Sequence, residues 1–239
     1  MIALALVLLS IGIGDLSHGL AGMPKNRSRA FLAIAFSFAT VVGGVVLVDA
    51  SGGDALATIA VATVVSASWQ LVRVGFSNPT FQLSTIGAGV LASIMISTVR
   101  LEADGSSLWT RFLDESRIHL IQRERPATVL MVLAIGVVLT ASTNAVVRII
   151  LDVVIDGDAP TTRIRGGRVI GPLERLLIIG FVIAGQPTTA ALVVTAKSLL
   201  RYPELRSHDD VDIHAVTEYV LIGSLASWSI ALAATLAVV

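Results

Sequence analysis

Cysteine is absent from these 239 residues, which excludes disulfides, thiolate nucleophiles and cysteine-bound zinc. Charge is scarce: Asp, Glu, Lys and Arg make up 14% of the chain and cancel to zero, against about a quarter charged in ordinary soluble domains. The basic residues are scattered, so there is no footprint for a nucleic-acid partner. Aromatics reach only 5%, and the pocket that a chromophore on Lys197 would need is not evident. There is no internal repeat and no long Ser/Pro/Gly linker, so residues 1–239 read as a single domain. No glycine loop that cradles phosphate, no nucleophile elbow and no two-histidine zinc helix occurs. These absences lean away from an enzyme and give no reason to expect a cofactor or a metal.

What the chain does have is apolar length. Hydrophobic residues make up 54% and mean hydropathy is +0.84. Uncharged runs occupy 30–48, 55–72, 74–99, 126–147, 176–196 and 219–239, preceded by 1–14. A hydrocarbon core of about 30 Å takes roughly 20 apolar residues in a helix, and most of these runs have that length. The expected fold is therefore all-α: a polytopic integral membrane bundle of about seven hydrophobic segments, with the lipid bilayer as its principal partner. The first run lacks the basic start of a secretory signal, and apolar sequence resumes after Asp15, so it reads as a retained span. Near 106–123, Leu108, Trp109, Phe112, Leu113, Leu120 and Ile121 recur at helical spacing with Arg111, Glu115 and Arg123 on other faces. That pattern suits an amphipathic helix lying in the headgroup region, or a solvated connecting helix.

The sixth run carries a polar break, Gly185-Gln186-Pro187-Thr188-Thr189, at the centre of 21 uncharged residues. If every run crosses once, the loop arginines and lysines divide almost evenly between the two sides, against the usual cytoplasmic excess. Folding the sixth run back at Gly185 to Pro187 restores that asymmetry. It would also bring Glu174 and Lys197 to one membrane face, whereas a straight helix of 23 residues holds them about 35 Å apart. Residues 172–201 thus read either as one span kinked at Pro187 or as a re-entrant hairpin. In both cases Gln186, Pro187, Thr188 and Thr189 form the polar centre, and Glu174, Arg175, Lys197, Arg201 and Glu218 form a charged cluster around it.

Asp15 and His18 lie three apart, hence on one helical face, and ionisable residues within a span are candidates for function. The alternative is that the helix ends near Gly19 and both sit in the interface. Asn144, Arg148 and Asp152 follow at intervals of four where the fifth run leaves the membrane, which suits anchoring. His208, Asp209, Asp210, Asp212 and His214 have metal-like composition, but Asp209 or Asp210 as the cap of the last helix is the better reading. Gly223, Ser227 and Ala231 recur every fourth residue, a stripe along which another helix can approach closely, within the chain or in a homo-oligomer.

Gly171-Pro172-Leu173-Glu174-Arg175-Leu176-Leu177-Ile178, Gly185-Gln186, Ala196-Lys197-Ser198-Leu199-Leu200-Arg201, Glu204 and the stretch Glu218 to Ser227 together resemble the carboxy-terminal half of a bacterial family. That family consists of small polytopic membrane proteins known only as a domain of unknown function. The first 170 residues depart from its pattern, with Asp15 a faint echo of its early acidic residue. The resemblance implies a bacterial inner membrane and a meaningful Glu174, Arg175, Lys197, Arg201 and Glu218 set, and it implies no reaction. The expected role is a non-enzymatic, channel- or carrier-like permeation component built round a broken helix. The alternative is a structural or assembly partner of a larger cell-envelope membrane complex.

Overall fold

The computed structural model describes residues 1–20, 27–99, 101–103, 105–118, 122, 124–155, 167–193, 195–196 and 213–238. Among them every regular element is helical: α1 (Ile2–Leu20), α2 (Arg27–Leu47), α3 (Gly53–Gly75), α4 (Pro79–Ile96), α5 (Leu108–Asp114), α6 (Pro126–Ala141), α7 (Thr143–Val154), α8 (Gly167–Ile183) and α9 (Ile213–Thr235). A short helical segment, 187–193, follows α8. The chain divides into two compact units, Met1–Ser142 and Thr143–Val239.

Helix boundaries follow local chemistry. The Asn78 side chain accepts from the amides of Thr80 and Phe81 at 3.0 and 3.3 Å, and Pro79 follows it at the first helical position, where its missing N–H costs nothing. α6 likewise opens on Pro126, and Ser107 caps α5 by accepting from the Thr110 amide. Within the apolar helices, hydroxyls bond back to their own turn: Ser66 to the Ala62 carbonyl, Thr63 to Ile59, Ser93 to Gly89 and Thr140 to Gly136. A hydroxyl satisfied in this way needs no water.

In the first unit α1 is the central helix, packed on α2, α3, α4 and α6. Ala3, Ala5, Leu6, Val7 and Ser10 are fully buried. α1 and α2 run antiparallel, since Leu6 lies against Gly44 while Gly14 lies against Ser37 and Ala33. The outside is apolar too: Phe31, Phe36 and Phe38 on α2 and Leu91, Ile94 and Met95 on α4 are exposed. Exposed apolar surface on this scale belongs to a molecule whose solvent is hydrocarbon.

Among the described residues four helices are long and apolar enough to cross a membrane: Ser28–Leu47, Gly53–Gly75, Pro79–Ile96 and Thr217–Thr235. A fifth crossing follows if α6 and α7, broken at Ser142, count as one span. That is fewer than the seven apolar runs, for physical reasons. The apolar part of α1, Ile2–His18, is shorter than these spans, and α8 carries Glu174 and Arg175 and stops at Gly185. α5 is also shorter than the amphipathic stretch expected near 106–123. Trp109 and Leu113 are buried in it while Leu108 and Phe112 are exposed, and the Trp109 indole donates to the Pro126 carbonyl at 3.0 Å. Leu120, Ile121 and Arg123 lie outside the described residues.

Candidate functional site

A buried polar cluster in the first unit forms where the carboxy-terminal ends of α1 and α3 meet. The Asp15 carboxylate has no exposed surface and pairs with the Arg73 guanidinium, whose side chain is 24% exposed. Trp69 Nε1 donates to both carboxylate oxygens, at 3.1 Å to Oδ1 and 3.0 Å to Oδ2. Gln70 Nε2 donates to Oδ1 at 2.9 Å. Gln70 Oε1 in turn lies 2.7 Å from Nε2 of the part-buried His18. The Arg73 guanidinium also sits 5.4 Å from the centre of the Trp69 ring, within cation–π range.

This arrangement has an energetic reason. Moving two charges out of water costs several kcal/mol per ion unless geometry and further hydrogen bonds offset it. Here the acid is met by Arg73 and by two neutral donors, so its acceptor capacity is used and its charge is balanced. A carboxylate so engaged has no spare negative charge for a free cation. Close packing is part of the design, because a Cβ at Gly14 would stand 2.7 Å from Gln70 Nε2. The same Cβ would also meet Ser37 Oγ and the Ala33 carbonyl of α2, so glycine here keeps α1 close to α2 and leaves room for the Gln70 amide.

Asp15 and His18 therefore belong to one cluster, joined through Gln70 and not directly. Their partners Trp69, Gln70 and Arg73 were not evident from the pattern that singles out Asp15 and His18. Arg73 reads as a lone charge between two apolar runs. The signal that could have found the set is the i, i+4 spacing of Trp69 and Arg73, with an amide beside them, at the end of an otherwise apolar helix.

The second unit has its own buried charge. Arg175 on α8 is 1% exposed, and the neighbouring Glu174 is buried as well. Arg175 Nη1 donates to Ser227 Oγ on α9 at 2.8 Å, and Nη2 donates to Asn144 Oδ1 on α7 at 2.7 Å. One guanidinium thus ties together the three helices of this unit that pack on one another. The small-residue stripe lies along the same seam: Gly223 is against Val147 and Leu151 of α7, Ser227 accepts from Arg175, and Ala231 is fully buried. Glu218 is exposed, nine residues before Ser227, a rise of about 13 Å along α9. Lys197 and Arg201 lie outside the described residues, as do residues 208–212 of the His/Asp cluster.

The chain does break in the sixth run. The Gln186 amide reaches back to the Phe181 carbonyl at 2.7 Å and the Gly185 amide to Val182 at 3.0 Å, with Gly185 at φ +72°. These two bonds and the left-handed glycine make a Schellman stop. Gln186 then opens the next turn, its carbonyl accepting from the amides of Thr189 and Ala190, with Pro187 in first helical position. Gln186, Pro187 and Thr188 are exposed and Thr189 is half-buried, so this polar centre lies on the surface of its unit. Among the described residues no group of three or more His, Asp and Glu converges as a metal site.

Compared with family models, curated proteins and solved structures, the chain finds no match in any of the three.

Proposed function

We propose that this chain is a non-enzymatic, multi-pass protein of the bacterial inner membrane that acts as a channel- or carrier-like permeation component. The observation that carries the reading is the buried Asp15 carboxylate, paired with Arg73 and continued through Gln70 to the part-buried His18, at one end of an apolar bundle. Charges are costly in such surroundings and typically mark ion or proton paths. The long apolar helices supply the crossings in this reading, with α6–α7 and the sixth run as interrupted helices of the kind that place polar groups within membranes.

The test is flux. Vesicles holding the purified protein are expected to dissipate an imposed ion or pH gradient faster than protein-free vesicles. The neutral double variant, Asp15→Asn with Arg73→Gln, should lose that flux while staying folded. Equal rates with and without the wild-type protein would refute the reading.

A second reading, an assembly partner of a larger envelope complex, is favoured by the exposed break at Gln186, Pro187 and Thr188. If this turn sits at membrane depth, its polar backbone has to be covered by protein, either a second copy or another membrane protein. Gentle extraction should then recover a stoichiometric companion, and recovery of single copies alone would count against it.

A further inference from the structure

Charge in the first unit is segregated by end. From Leu16 to Val48 and from Ala55 to Val99 the sequence holds four bases, Lys25, Arg27, Arg29 and Arg73, and no acid. Packing gathers the arginines. α1 and α3 meet at their carboxy-terminal ends through Asp15 and Arg73, and α2 starts at the same end, because Gly14 lies against Ala33 and Ser37 of α2 as well as Gln70 of α3. Arg29 stands four residues before Ala33 and Arg73 three after Gln70, so each is about one helical turn, about 5 to 6 Å, beyond the level of Gly14. α2 itself begins at Arg27, and the six residues that join it to α1 include Lys25 and no acid. Asp15, the one acid among the described residues of this end, is buried and paired with Arg73. The opposite end of α2 and α3 bears Asp49 and Asp54 and no base. Residues 100–125, which follow α4, hold five bases and five acids and add no net charge.

Apolar rings stand beside the bases. Phe76, directly after α3, is 52% exposed, and its ring centroid lies 4.8 Å from that of Phe81, also exposed, on α4. Phe31 on α2 is 67% exposed. Arg73 keeps part of its side chain at the surface while it pairs with Asp15, and Arg29 is half-buried. Bases set among exposed rings at the end of an apolar bundle suit the edge of a bilayer, with the rings against acyl chains and the charged heads at headgroup height. The geometry points to this end as a docking surface for the headgroups of anionic phospholipids in the surrounding bilayer. Charge complementarity selects that occupant: four bases against one acid leave this end at plus three, and a zwitterionic headgroup has no net charge to offer it. The inference goes beyond the permeation reading and does not depend on flux.

The test is lipid selectivity in phosphatidylcholine vesicles holding the full-length protein and a trace of spin-labelled lipid, either phosphatidylglycerol or phosphatidylcholine with the same label. Electron paramagnetic resonance reads the fraction of label immobilised on the protein. The wild-type protein is expected to prefer phosphatidylglycerol by about fivefold, the equivalent of about 1 kcal/mol from one base near a charged surface. The preference should shrink as salt is raised, because salt screens exposed charge. It should vanish in the triple variant Lys25→Gln, Arg27→Gln, Arg29→Gln, which leaves the Asp15–Arg73 pair in place, with immobilised phosphatidylcholine unchanged as the sign of a folded bundle. Asp49→Asn with Asp54→Asn, at the opposite end, should keep it. Equal immobilisation of the two lipids by the wild-type protein, a preference indifferent to salt, or one that survives in the folded triple variant would overturn the proposal. So would displacement of phosphatidylglycerol by inorganic phosphate well beyond that by chloride at equal ionic strength, which would mark a site for a soluble anion instead.

Discussion

Trp69 Nε1 lies almost equidistant from the two oxygens of Asp15, at 3.1 and 3.0 Å, so one indole bridges the carboxylate while its ring carries the Arg73 guanidinium. Trp69→Phe retains a ring for Arg73 and removes the bridge. The expected loss is about 1–3 kcal/mol, the cost of leaving a buried acceptor short of a donor. Reversible denaturant unfolding in mild detergent measures it, and an unchanged midpoint would mean that the indole bond contributes nothing.

Glycine at 14 lets α1 pack closely on α2 and leaves room for the Gln70 amide of α3. Gly14→Ala puts a methyl group 2.7 Å from Gln70 Nε2, and overpacking of this sort costs about 1–3 kcal/mol. Gly43→Ala is the control, since a Cβ there meets nothing within 4 Å. It should be neutral or stabilising by about 0.5–1 kcal/mol, because alanine favours the helix interior. The two variants unfolded side by side should separate clearly.

Arg175→Lys keeps the charge and loses the fork that reaches Ser227 and Asn144 at once. Hydrogen bonds from charged donors contribute about 1.5–3 kcal/mol each, so a loss of that order is expected in the unfolding of the second unit. Asn144→Ala should produce a similar loss, and combining it with Arg175→Lys should add less than the sum because the two share one bond. Full additivity in a double-mutant cycle would contradict the arrangement.

Gly185 stops α8 at a positive φ. Gly185→Ala is expected to cost about 1–2 kcal/mol, the penalty of a side chain in the left-handed region, whereas Gly180→Ala, with open space around the added carbon, should not destabilise. Equal behaviour of the two would mean that the helix does not terminate at Gly185 in the membrane.

Helical, membrane-type character was legible because hydropathy is a local property that each run carries by itself. The grouping of Asp15 with His18 was legible for the same reason, three residues on one helix. Their partners were not, since Trp69, Gln70 and Arg73 are 54 to 58 residues from Asp15, and no spacing rule spans two packed helices. Ser227 reads in the sequence as one small residue of a stripe, and only the packed α9 reveals it as an acceptor for Arg175. Asn144 reads with Arg148 and Asp152 at intervals of four, yet its side chain turns to Arg175 while Arg148 and Asp152 are exposed. The break at Gly185 was visible in composition, but its exposure depends on which helices surround it.

The most direct test of the account is a double-mutant cycle on Asp15→Asn and Arg73→Gln in the intact protein in lipid nanodiscs, read by unfolding free energy. Arg73→Gln strands the buried Asp15 carboxylate and should cost about 3–5 kcal/mol, whereas Asp15→Asn should cost less, because the Arg73 side chain is 24% exposed and keeps access to water. The double variant should be less damaged than the sum by about 2 kcal/mol or more, since contacting residues couple by up to about 3 kcal/mol. Losses that add to within about 0.5 kcal/mol would contradict the pairing of α1 with α3 on which the site is built.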